Sequence, residues 1–150
     1  MRRPSALAVT CVVLAAVSTG LLAGCDGGPP PGSEAAVARQ KANDTVNRQL
    51  EALPGGKVTA TIENSLDGGQ NNIKVDAVPP ATATTAQLNV MADTIERTIW
   101  LSRMDPLGRI GLIVRRQGDT DPVLERLYQD EVDTRPLAVK YGPRPDGLPG

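Results

Sequence analysis

The feature that most constrains this chain is a boundary at residue 25. From Ser5 to Gly24 the sequence carries no charge and is dominated by Ala, Val and Leu, and immediately after Cys25 it turns into DGGPPPG. Glycine and proline at that density build no packed element, because one loses the most backbone entropy on ordering and the other lacks an N–H donor. Whatever folds must begin near Ser33, which leaves room for one modest domain. Met1-Arg2-Arg3 gives the apolar run a cationic start and small residues close it, the pattern of a secretory leader over residues 1–24. A membrane-spanning helix is the competing reading, since about 20 apolar residues cross a bilayer core. Against it, Thr10, Ser18, Thr19 and Gly20 dilute the run, and no basic cluster follows.

Cys11 and Cys25 are the two cysteines, so the chain after Cys25 has no thiol and no internal disulfide. Chains that mature in an oxidising compartment pair their cysteines or do without them. Leu22-Ala23-Gly24-Cys25 resembles the lipobox of bacterial lipoproteins, and the resemblance covers the leader only. It implies that Cys25 receives a diacylglyceryl group on its sulfur and becomes the first residue of the mature chain, the protein then sitting on the extracytoplasmic face of the cell membrane. An ordinary buried cysteine is the alternative. One acyl chain holds a protein marginally and two hold it stably, so such an anchor needs no hydrophobic helix. Residues 25–33 then form a tether whose Asp26–Ser33 portion reaches ~25 Å if extended like polyproline.

Beyond the tether, hydrophobic period sets the expectations. A first helix opens at Ser33-Glu34 and carries a narrow stripe of Val46, Leu50 and Leu53, with its first half expected as a partly solvated continuation of the tether. The period then becomes two in KVTATIE and NIKVDAV, separated by NSLDGGQNN, which predicts a hairpin. A second helix fits the stretch from Thr84 to Met104, with Leu88, Met91, Ile95 and Ile99 in line, ended by Asp105-Pro106. RIGLIVRR reads as a strand, and VLERLYQ as a strand paired back on it or a short amphipathic helix. A terminal helix is expected with Asp133 as cap and Gly142 just past its end. These elements predict an α+β two-layer sandwich in helix-hairpin-helix-hairpin order, with a mainly antiparallel four-stranded sheet and helices on one face. The domain would cover residues 34–142, followed by a disordered tail over 143–150.

The same residues limit the chemistry. Net charge is −1, and −3 once a leader with Arg2 and Arg3 is gone, without the basic face that nucleic-acid binding requires. The chain has no His and no free thiol after an acylated Cys25, which removes His-based triads, cysteine nucleophiles and His/Cys metal sites. No cofactor motif is present: DGGQNN joins strand to strand and lacks the spacing of a phosphate cradle. Asp119 and Asp121 in GDTDP offer oxygen ligands to an ion, but the spacing is not that of a calcium loop, and solvated turn residues explain them as well. Arg115 and Arg116 could touch anionic headgroups or end a strand in solvent.

A non-catalytic domain that binds an envelope protein partner is the first functional expectation, and a small-ligand or ion carrier the second. A hydrolase working through carboxylates alone ranks last. Geometry discriminates the first two: an apolar pocket above ~300 Å³ favours the carrier, and a flat exposed apolar patch favours a partner surface.

Overall fold

The computed structural model describes residues 32–64 and 69–145. The leader, Cys25, most of the tether, part of the first hairpin loop and the last residues of the expected tail lie outside the described residues. The element order is α1 (Glu34–Glu51), β1 (Lys57–Asn64), β2 (Asn71–Val78), α2 (Thr85–Trp100), β3 (Leu107–Val114), β4 (Leu124–Tyr128) and α3 (Glu131–Tyr141). Together they form an α+β domain with three helices and one four-stranded sheet.

Each helix starts where the sequence supplies a cap. Ser33 accepts from the Ala36 amide at the head of α1. At α2, Thr84 and Gln87 satisfy each other's backbone in a capping box. Asp130 caps α3 by accepting from the amides of Val132 and Asp133, so the helix opens before Asp133, the expected cap; the Asp133 carboxylate instead accepts from the Gln129 amide. Arg39 donates to the Gly69 carbonyl at 2.8 Å, which ties the first half of α1 to the domain as a helix. α2 stops at Trp100, short of the expected Met104, because Leu101 caps it and Met104 turns back into the core.

The strands run β1-β2-β3-β4 across the sheet. β1 pairs antiparallel with β2, and β3 with β4, but β2 and β3 pair in parallel. The sheet is therefore mixed, which corrects the expectation of a mainly antiparallel one. The cause is α2: it leaves the carboxyl end of β2, covers the sheet and returns the chain to the opposite end, so β3 must run in the same direction. The segment that read as either strand or helix is β4.

Alternate strand positions face the helices. Val58, Ile73, Val75, Ala77, Ile110, Leu112 and Val114 meet Val46 and Leu50 of α1, the Leu88-Met91-Ile95-Ile99 stripe of α2, and Leu137 of α3 in one core. Thr59, Lys74 and Glu125 stand exposed on the other face of the sheet. The turn from α1 into β1 approaches the end of β2 closely: a Cβ on Gly56 would lie 2.7 Å from both the Pro79 Cα and the Val78 carbonyl oxygen. Only backbone could yield there. Gly56→Ala is expected to lower unfolding free energy by about 1–3 kcal/mol, measured by urea denaturation; an unchanged midpoint would show that this approach is not tight.

An apolar groove and a buried polar lock

Because β2 and β3 are parallel, their carboxyl ends lie together, and the ladder continues past both strands. The Arg115 amide donates to the Ala77 carbonyl at 3.0 Å and the Gln117 amide to the Pro79 carbonyl at 2.8 Å. Three segments converge at this end: the turn after α1, the Pro79-Pro80 exit from β2, and the first turns of α2. Between them runs a groove of about 540 Å³. Leu53 and Pro54 form one wall and Pro79 and Pro80 another, with Ala86 and Met91 of α2 between. Thr82, Gln87 and Thr94 are its polar members, and no charged side chain lines it. Val90 stands at its mouth, 66% exposed.

The residues singled out from the sequence lie in the turn beyond β3. Arg115 pairs with Asp76 across the sheet at 3.1 Å. Arg116 donates from Nε to the carbonyl of Ala83, itself a groove residue, at 2.9 Å. Asp119 sits 4.0 Å from the Arg116 guanidinium, at the limit of ion pairing, and Asp121 is exposed. Among the described residues no group of three or more acids or other ligating side chains is placed to hold a metal ion. The turn therefore bonds Arg116 to the backbone of a groove residue and leaves Asp121 in solvent.

At the other end of α2 lies a feature the sequence reading missed. Glu96 is 1% exposed, and its carboxylate accepts from Arg126 at 2.8 Å, from the Tyr128 hydroxyl at 2.6 Å and from the Tyr141 hydroxyl at 3.2 Å. One turn earlier, Asp93 receives Arg126 at 2.9 Å and Lys140 at 2.7 Å. Burial alone would raise the Asp93 carboxyl, but hydrogen bonds and charge from Lys140 and Arg126 outweigh it and hold it below the usual carboxylate range. Burial, then the hydrogen bond to Glu96, pushes the Tyr128 hydroxyl well above the ordinary tyrosine value. Both Glu96 oxygens accept from donors on β4 and α3, so the cluster fastens these elements to α2. The signal was present in the helical period: Glu96 falls four residues after Ala92 and one after Ile95, on the buried side of the stripe.

Trp100 closes the same end. Its indole N–H donates to the Gly142 carbonyl at 2.8 Å, and the Arg144 guanidinium stacks over its ring at 5.7 Å while bonding the Met104 carbonyl. Arg144 thus packs onto the domain although it lies beyond residue 142, where the domain was expected to end.

No family model matches the chain, and no curated protein or solved structure matches it. Among the described residues no helix is long and apolar enough to cross a membrane.

Two outcomes follow for the lock. Glu96→Ala strands the Tyr128 hydroxyl and leaves Arg126 and the Tyr141 hydroxyl with their Asp93 contacts alone, and is expected to lower stability by about 1–3 kcal/mol, read by denaturant melts. A tyrosine whose folded pKa is raised contributes stability that is complete below its unfolded value of about 10 and lost as pH climbs through the folded value. The melting temperature should therefore fall as pH rises above about 10, and fall less steeply in Tyr128→Phe; parallel pH profiles would show that Tyr128 carries none of this dependence.

Proposed function

We propose that this chain is an exported lipoprotein, held on the outer face of the cell membrane by acyl chains on Cys25, and that its domain works by binding rather than catalysis. Anchoring is supported by the charge-free leader ending in Leu22-Ala23-Gly24-Cys25 and by the Gly/Pro spacer behind it. The non-catalytic reading is supported by a chain without histidine and without a thiol past Cys25, the commonest proton-transfer and nucleophilic groups.

The observation that carries the choice of ligand is the groove: about 540 Å³, apolar, and free of charged lining. That volume lies within the range of small-molecule sites, roughly 300–1,000 Å³. The occupant is a small, largely aliphatic molecule, and the protein acts as its carrier or receptor at the membrane. An envelope protein inserting an apolar side chain is the second reading, favoured by the exposure of Val90 at the mouth.

Cys25→Ser is expected to abolish metabolic labelling by a palmitate analogue and to release the chain from the membrane fraction; an acylated, sedimenting variant would defeat the anchor. A photo-crosslinking residue placed at Val90, with one at Val139 on α3 as control because it is 84% exposed and remote from the groove, tests the site in the native envelope. Capture of a small lipid-like adduct at position 90 alone is expected. A protein adduct specific to that position would replace the carrier by the partner reading, and identical capture at both positions would remove the groove from consideration.

A further inference from the structure

Resting on the reading of the groove as the binding site, we infer that its ligand is a single-chain anionic amphiphile: a free long-chain carboxylate whose chain lies along α2 and whose headgroup pairs with Arg116. Three observations combine. The lining is aliphatic and proline-rich, with no aromatic ring to stack a flat ligand and no charge to solvate a polar one. Its volume, about 540 Å³, matches one chain and not two, a methylene occupying about as much space as a water molecule in the liquid, roughly 30 Å³.

The third observation is a cation bonded to a lining residue: Arg116 does not itself line the groove, but it donates to the carbonyl of Ala83, which does. Arg116 is held against the wall by its bond to the Ala83 carbonyl, and its side chain remains 26% exposed. A guanidinium has five N–H donors in a planar fork that fits a carboxylate. One of these is committed to Ala83, and the contact with Asp119 is long at 4.0 Å and exposed to solvent. A ligand carboxylate displaces Asp119 and leaves the wall intact. The first turn of α2 carries no acid to repel it. A phosphate monoester, with nearly two charges, would call for a second cation, and neighbouring Arg115 is engaged by Asp76 at 3.1 Å. The headgroup is accordingly a monovalent carboxylate.

The test uses the full, membrane-purified protein in phosphatidylcholine nanodiscs, with a diazirine-bearing dodecanoate and the matching dodecanol as probes, and maps labelled peptides by mass spectrometry. Dodecanoate should label the Pro79–Thr94 segment at about tenfold lower concentration than dodecanol, as expected for one charge-assisted hydrogen-bonded contact. Arg116→Gln should abolish the preference for dodecanoate, read as the ratio of acid to alcohol labelling so that any loosening of the wall at Ala83 acts on both probes alike, and the exposed change Asp119→Asn should raise that ratio. Equal labelling by acid and alcohol, or indifference to both substitutions, overturns the carboxylate and leaves the groove reading standing. Preferential labelling by a two-chain phosphatidate probe overturns it as well. If neither single-chain probe labels the segment, the groove reading fails together with the inference.

Discussion

Parallel pairing of β2 with β3 is the constraint from which the rest of this structure follows. It is fixed at both ends. At the amino end, the Asn71 amide donates to the Pro106 carbonyl at 2.8 Å and the Asn72 side chain accepts from the Arg109 amide at 2.9 Å, around a register shift between Asn71 and Ile73. At the carboxyl end the ladder runs on through Arg115 and Gln117 to Ala77 and Pro79. With α2 crossing between the strands, one end of the sheet receives two strand exits and a helix start. Crevices beyond the carboxyl ends of parallel strands are where open α/β sheets bind ligands, and here three prolines with Leu53, Val90 and Met91 dominate the lining, so the crevice is apolar.

The opposite end of α2 is built on different physics. α3 contributes one fully buried apolar residue, Leu137, while Val132 and Val139 face solvent. An apolar stripe that narrow does not hold a helix in place, since helical stability in proteins comes mostly from packing of an amphipathic face. Polar contacts supply the difference: Lys140 and Tyr141 reach Asp93 and Glu96, and Trp100 takes the carbonyl of Gly142, whose φ of 86° turns the chain back over the indole. A chain without phenylalanine has placed its tryptophan and both tyrosines at this junction, where each ring buries area and each polar tip finds a partner. A buried carboxylate with three donors gives geometric definition more than net energy, and definition is what a short helix carrying Pro136 in its interior lacks.

Much of this was legible in local sequence. Period two marked β1, β2 and β3, and the α2 stripe named Leu88, Met91, Ile95 and Ile99 as core, because alternation and helical repeat report burial directly. Pairing between hairpins was not legible: each hairpin specifies its own register, whereas the relation of β2 to β3 depends on where a sixteen-residue helix delivers the chain. Glu96 escaped notice because a charged residue reads as solvent-facing until its partners are known, and those lie about thirty residues away in β4. The groove left a fainter mark. Val90 follows Leu88 by two positions, about 200° around the helix, an apolar residue on the side of α2 that its own stripe assigns to water. Arg115 and Arg116 were noticed as a pair, but only the structure separates them, one spent on Asp76 and the other set against the groove wall.

The two ends of α2 also differ in what ligand entry would ask of them. Pro54, Pro79 and Pro80 have restricted backbone dihedrals, and the wall they form is braced by the Gly56 contact behind Pro79 and by Gln117 bonding its carbonyl. Such a groove is preformed, so little ordering entropy would be charged against the binding proposed for it. The lock at Glu96 removes the other source of loss, because α2 cannot tilt away from the sheet without breaking contacts to both β4 and α3. A rigid helix fastened at its carboxyl end thus presents a preformed apolar face at its amino end, and on the proposed binding role the prolines and Val90 set how well an aliphatic ligand would fit there.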